Sequence, residues 1–496
     1  MKQVVSCLLA LTLCISGNLV WGDSEFDRWK QKQRGAFEGF VTARDREFAE
    51  YLRTSWREFQ AHKALIREQT PKPKRQPRVP QLEASQGAVE PAPANSPFGP
   101  DSLEPLLAPQ PIPAAPKKNP GTQPGTVSEQ KSPQQEDLIR VGLYGSALRF
   151  SQAPGLRNVR LMQLQPDQFS ETWLAFASAD LQTTVEALRA QQRALVLPDW
   201  AVLQLVLKVA RNEIGHSTTA TAYSWYLLNQ LGFDVRLGYN ESKLVLLMAA
   251  NVTVYGRPFF TIDGERYYRV DGGPANNLRI HTAGFPGHSG KLRLDFANQM
   301  RTPGLVESRQ LRFVDGGRIA SAVIQYDPHW VEYLNGHPAI DLHHYFSAKV
   351  FSTTANSLAA FWQTRIQQDS PQQAVNRLLH FVQNGFKYQT DDEQFGGERY
   401  LLPSESIHYN AIDCEDRSFL LAWLIRDLLG LPVIGLHYPG HVALAVSLPG
   451  EPVVGAATVD YEGRQYTVAD PTYMGAALGQ LMPQFEGVTP TILAVN

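Results

Sequence analysis

Asn410-Ala411-Ile412-Asp413-Cys414-Glu415-Asp416-Arg417 opens an apolar run near the C-terminus. Asp413 reads as a helix N-cap, and Asp416, three residues on, as the acidic partner of a capping box. Leu420, Leu421, Trp423, Leu424, Leu428 and Leu429 follow at helical spacing, and Gly430 then Pro432 end the run. Cys414 therefore falls in the first turn. Unpaired N–H groups and the positive end of the helix dipole favour thiolate there.

Downstream, His441-Val442-Ala443-Leu444-Ala445-Val446 follows the turn Tyr438-Pro439-Gly440, and Tyr466-Thr467-Val468-Ala469-Asp470 is closed by Pro471. A Cys at a helix start, a His at a strand start and an Asp at a strand end make a nucleophile–base–orienter set. Three motifs carry a family resemblance: Asp413-Cys414-Glu415-Asp416-Arg417, Tyr438-Pro439-Gly440-His441-Val442-Ala443 and Ala469-Asp470-Pro471-Thr472-Tyr473. Through them the segment from about Phe386 to Tyr473 resembles the transglutaminase-like superfamily of papain-like cysteine transferases, peptidases and amidases. The resemblance implies a helix bearing the nucleophilic Cys414 and adjacent strands bearing His441 and Asp470.

Working outward, a second copy of this core is expected upstream. A shift of 198 residues places Asn410 on Asn212, Ile412 on Ile214, Trp423 on Trp225, Gly430 on Gly232 and Val433 on Val235. One more residue of offset aligns Tyr466 with Tyr267 and Asp470 with Asp271. In this copy His216 replaces Cys414 and Lys243 replaces His441, while the acid survives as Asp271. Imidazole is a poor acyl nucleophile and lysine a poor base beside it, so catalysis is expected in the second copy alone. His216 is expected to be neutral or paired with an acid such as Asp271. The fold class is α+β: two transglutaminase-like, papain-like α/β-barrel domains, 138–282 (degenerate) and 351–496 (catalytic). A β-rich segment, 283–350, joins them. Within it Leu311–Val314 and Ile319–Tyr326 read as a hairpin, and His343-His344 as strand neighbours on opposite faces.

The N-terminus reads as accessory. Met1-Lys2 and the apolar run after it have the layout of a secretory signal, 1–22, with cleavage after Gly22. Residues 23–69 read as one long helix. Phe26, Phe37, Phe48 and Phe59 recur every eleven residues, as do Trp29, Phe40 and Tyr51, which keeps one aromatic face. That face either docks a protein partner or a second copy, through 24–69, or packs on its own chain. Residues 70–137 hold 16 of the 34 prolines and read as a disordered linker, with Lys72, Lys74, Arg75 and Arg78 read as solvated and contact with an anionic partner as the alternative.

Once the signal is removed Cys414 is the one cysteine left, so no internal disulfide can form. A net charge of −2 argues for neither nucleic acid nor an anionic membrane surface, and no later segment could span a bilayer. No metal motif or cofactor fingerprint is present, so none is expected. The reading is an exported, periplasmic or envelope-associated enzyme acting on peptide or protein amides, cell-wall peptides among them. Water and an amine both remain open as acyl acceptor. The Cys414 N–H is one oxyanion donor; the resemblance implies a second from an upstream side chain, for which Gln394, Tyr409 and Asn410 are candidates. The alternative is a non-catalytic envelope scaffold built from the two folds.

Overall fold

The computed structural model describes residues 43–66, 72–80, 138–215, 217–272, 277–450 and 453–495. The expected signal at 1–22, residues 81–137 of the expected linker, and His216 lie outside them. The fold is mixed α+β, with two curled half-barrel sheets.

Strands are numbered β1–β15 in chain order. The first sheet uses β1 (Trp56–Phe59), β4 (Val235–Tyr239), β5 (Leu244–Ala249), β6 (Phe259–Ile262), β7 (Glu265–Arg269) and β8 (Leu278–His281). The hairpin β2 (Leu138–Leu143) and β3 (Ser146–Ser151) stands apart from it, as does β9 (Glu307–Asp315) with β10 (Arg318–Tyr326). The second sheet uses β11 (Val433–Tyr438), β12 (His441–Val446), β13 (Thr458–Tyr461), β14 (Arg464–Ala469) and β15 (Thr491–Leu493).

The two sheets repeat one another in order and in register. The first runs β6-β7-β5-β4-β8 and the second β13-β14-β12-β11-β15. Val235 faces Met248, and Val433 faces Val446, the same pair 198 residues on. Leu247 faces Arg269, and Ala445 faces Val468, where the outer strand carries the extra residue of offset. A slip of one residue would turn every side chain to the other face, so shared register means shared cores. Thr218–Gln230 directly precedes β4 of the first sheet, and the Cys414–Trp423 helix precedes β11 of the second.

β12 is buried on both faces. Val442, Leu444 and Val446 join the main core, while Ala443 and Ala445 join a separate cluster with Tyr438, Tyr466 and Phe485. The helices Ser352–Ile366 and Pro371–Gly385 pack on the β9–β10 hairpin and are divided at Ser370-Pro371, with Ser370 and Gln373 forming a capping box. Gly435 on β11 gives Phe346 its place: a Cβ there would lie 2.5 Å from the Phe346 ring, which in turn packs edge-on to Phe419 of the Cys414 helix.

Three expectations need correction. The helix expected over 23–69 runs only over 43–52 among the described residues. Ser55 adopts φ +65°, and the chain leaves the helix to form β1, antiparallel to β8 at the edge of the first sheet. Phe48 is buried against Trp173 while Tyr51 is exposed, so the aromatic face is divided between core and solvent. The described part of 24–69 is thus packed on its own chain. Residues 72–80, expected to be solvated linker, lie on the C-terminal half. His343 and His344 sit on the short helix Leu342–Ser347 with ring centroids 3.9 Å apart, not on a strand.

Asp45, on the 43–52 helix, accepts a hydrogen bond from Trp173 Nε1 at 3.1 Å. Burial pushes its carboxyl up to about 6, against the pull of Trp173 and Arg44. The folded state therefore holds this proton more tightly than the unfolded chain, and stability falls as pH rises through 6. Asp45→Asn should raise Tm at pH 8 by at least about 3 °C and change it little at pH 4; equal shifts at both values would contradict this.

Candidate active site

The Cys414–Trp423 helix is buried along its whole length and continues through a π turn, Leu424–Leu428, to Gly430 at φ +65°. Its N-terminus is held by buried charge. Asp416 accepts from Leu401 N at 2.7 Å and from Asp413 N at 3.4 Å, the second being one half of the expected capping box. Arg417 donates to the carbonyls of Val382 and Gln383, each at 3.1 Å, and of Phe386 at 2.9 Å, tying this turn to the end of the Pro371–Gly385 helix. Ser418 Oγ lies 2.8 Å from Cys414 O and 2.9 Å from Val442 O. That hydroxyl seats the Cys414 turn against the start of β12.

His441 is the first residue of β12 and is 2% exposed. Its Nε2 lies 2.8 Å from Asp470 Oδ2. The other carboxylate oxygen accepts from Thr472 N at 2.9 Å and Tyr473 N at 3.2 Å. Gln383 Nε2 donates to the carbonyls of Asp470, Tyr473 and Ala476 at 2.9–3.2 Å, so one buried amide shapes the whole Asp470 turn. The imidazole lies flat against Phe485, at 5.2 Å and 7°. A carboxylate on Nε2 places the neutral ring's proton there and leaves Nδ1 as the base. Nδ1 is buried and has no hydrogen-bond partner among the described residues.

The thiol is turned elsewhere. Cys414 Sγ is fully buried and donates to Glu415 Oε2 at 2.9 Å, not to His441. Burial pushes its pKa well up; Glu415 and Asp413 add to this, and Lys72 opposes it. The expectation of a first-turn thiolate is therefore not met in this state: desolvation and two adjacent carboxylates outweigh the helix terminus. Around Glu415 stand Asp391, Glu398, Asp413 and Asp416. Burial and Glu415 push Asp391 up to about 7 and Glu398 up to about 8. Burial and neighbouring carboxylates also raise Asp413 and Asp416. Burial acts upward on Glu415 too, yet Lys72 and nearby donors hold it down to about 2.

Lys72 is the cation at the centre of this acid cluster. Its Nζ lies 2.7 Å from Asp413, 3.0 Å from Glu398 and 3.5 Å from Asp391, and also pairs with Glu415. Carboxylate oxygens of Asp391, Glu398 and Glu415 lie within 4.8 Å of one another, close enough to ligate a hard cation as well. Burial lowers the Lys72 pKa, but Glu415 and Asp413 raise it further, and the net shift is upward.

Two of the three oxyanion candidates make hydrogen bonds elsewhere. Tyr409 donates to Asn335 Oδ1 at 2.7 Å, and the exposed Asn410 accepts at its carbonyl from Arg309 at 3.3 Å. Gln394 is half-buried on the short helix Asp391–Phe395. None of the three is hydrogen-bonded to Cys414 or His441. The Cys414 N–H, first in its helix, has no intrahelical acceptor. A cavity of about 390 Å³ opens nearby, between Asn335, Tyr345 and the Phe395–Tyr400 turn. Glu398 lines it and also reaches Lys72.

In the first copy Lys243 and Asp271 do not pair with each other. Lys243 is exposed at the turn before β5. Asp271, its carboxyl pushed up by burial against the pull of Arg269, is paired with Arg269 Nε at 2.9 Å. Lys72, Glu398, Gln383 and Arg417 were not among the site residues expected from sequence. Only Arg417, charged within an apolar helical run, carried a local signal. Comparison with protein-family models, with curated proteins and with solved structures finds no match for this chain.

Proposed function

We propose that the chain is a cysteine-dependent acyl-transfer enzyme of the transglutaminase-like type, with Cys414 as nucleophile, His441 as base and Asp470 as orienter. One observation carries the reading: a buried His441–Asp470 pair whose Nδ1 has no partner among the described residues, on the strand that Ser418 ties to the Cys414 turn. Rotation of the thiol from Glu415 toward Nδ1 completes the set. Nδ1 then takes the thiol proton, and Asp470 stabilises the imidazolium. The thiolate attacks an amide carbonyl, and the oxyanion forms at the Cys414 N–H. The proton passes from Nδ1 to the leaving amine as the C–N bond breaks, and a thioester remains for water or an amine to resolve. Peptide or protein amides of the cell envelope are the proposed substrates, on the reading of 1–22 as an export signal. The sealed, protonated thiol favours the rival reading, a non-catalytic scaffold.

Alkylation of Cys414 by iodoacetamide separates the two. It is measured in the wild-type chain and again with Lys72→Ala, so that closure of the site cannot mask it. The enzyme reading expects His441→Ala to slow labelling at pH 7 at least about tenfold, while Lys243→Ala leaves it unchanged. Slow labelling that ignores His441 in both backgrounds would leave only an inert core cysteine.

A further inference from the structure

The carboxylates beside Cys414 are filled by a cation from a distant part of the chain. Lys72 reaches them with its side chain 11% exposed. Behind it the chain crosses the site. Gln76 Nε2 donates to Gln383 O at 3.3 Å, Met474 N to Pro77 O at 2.8 Å, and Val79 N to Met474 O at 3.1 Å. Val79 then packs on the cluster containing Tyr438 and Phe485, the ring that stacks on His441. Residues 72–80 are thus a strap fixed at one end beside the thiol and at the other beside the Asp470 turn.

We propose that the pocket formed by Asp391, Glu398, Asp413 and Glu415 is a binding site for a primary ammonium group on a flexible alkyl stem. Lys72 occupies it in cis and closes the site to a substrate's lysine-type side chain until the strap leaves. The proposal rests on the reading of Cys414 as nucleophile only for the word substrate; the pocket and its occupant stand without it.

The chemistry selects an ammonium. A compact point charge with three donors fits between carboxylates on several sides, whereas a planar guanidinium presents its donors in one fixed fork. Asp413 Oδ1, fully buried, has no hydrogen-bond partner among the described residues and can accept a further N–H from an incoming peptide. Among carboxylates that hold its proton, an amine here is no nucleophile, so the pocket recognises a side chain and does not supply the acyl acceptor. Asp413 and Glu415 flank Cys414 in sequence, so an ammonium bound to them anchors a peptide at the nucleophile.

The test uses the full chain. Lys72→Ala should lower Tm, and N-acetyl-lysine methylamide at tens of millimolar should restore part of the loss. It should have no effect on wild type, and the uncharged norleucine analogue should have none on either. Restoration by calcium chloride as strong as that by the lysine derivative would make the pocket a metal site and overturn the proposal. So would no response to either. For the strap, Val79→Asp leaves the pocket intact and removes its far anchor. Both Val79→Asp and Lys72→Ala should speed iodoacetamide labelling of Cys414 at least tenfold, and wild-type rates in both would show that the strap closes nothing. Binding of the lysine derivative is read by Tm and needs no turnover. Its failure with His441-dependent labelling intact sinks only this proposal, and the converse sinks only the enzyme reading.

Discussion

Asp470→Asn should lower turnover by a factor of roughly 10³–10⁴, in a protein whose Tm is close to that of wild type. An asparagine can in principle keep its carbonyl toward His441 and leave the tautomer unchanged. Here it cannot, because the backbone N–H groups of Thr472 and Tyr473 both point at Oδ1. Two donors cannot face an NH₂ group, so the amide must place its oxygen there and its nitrogen against His441 Nε2. The ring proton then moves to Nδ1, which becomes a donor toward the thiol and can no longer accept its proton. Comparing kcat/KM for Asp470→Asn and wild type on one peptide amide measures the effect. A loss below tenfold would mean that His441 is not the base.

Arg417→Met should cost about 3–6 kcal/mol of stability. The guanidinium is fully buried, and burial lowers its pKa only to about 10, so it stays charged at neutral pH. It satisfies the Val382, Gln383 and Phe386 carbonyls at the C-terminal end of a helix, which have no partner within that helix. Methionine fills much of the volume and satisfies none of them. It also removes a positive neighbour from Asp413 and Asp416. Lysine should not rescue, since one ammonium cannot span carbonyls that the planar fork bridges. Urea unfolding monitored by tryptophan fluorescence gives the difference, and a change under 1 kcal/mol would show that the carbonyls find other partners.

What could be read from the sequence was whatever a local break in pattern marks. His441 and Asp470 stand where strands begin and end, and Ser370-Pro371 where one helix gives way to another. The repeat was legible because strand register conserves spacing: Val235–Met248 and Val433–Val446 are the same pair in two copies. The rest depended on distant partners. Lys72 lies 341 residues from Asp413, in a proline-rich stretch whose composition reads as solvated. Glu415 is the next residue after Cys414, and neighbours on a helix do not ordinarily face each other; only at the helix mouth could it take the thiol. The eleven-residue aromatic period over 23–69 is compatible with one helix, but an open edge at β8 captures Trp56–Phe59 as a strand instead.

The strap's attachment sets how it can be displaced. Residues up to Ile66 belong with the first sheet, whose β6 pairs with His62, and Lys72 belongs with the second half of the chain. Between them lie residues 67–71. Even fully extended, that connection lets Lys72 travel no more than about 20 Å from its anchor. A strap that lets go therefore stays at an effective concentration on the order of 50 mM around its own pocket, the value for one group within that reach. A free lysine side chain competes poorly against that, whereas a longer peptide that also takes the Val79 position engages both ends at once. Such a site would answer to extended, lysine-bearing chains and ignore small amines in the surrounding fluid.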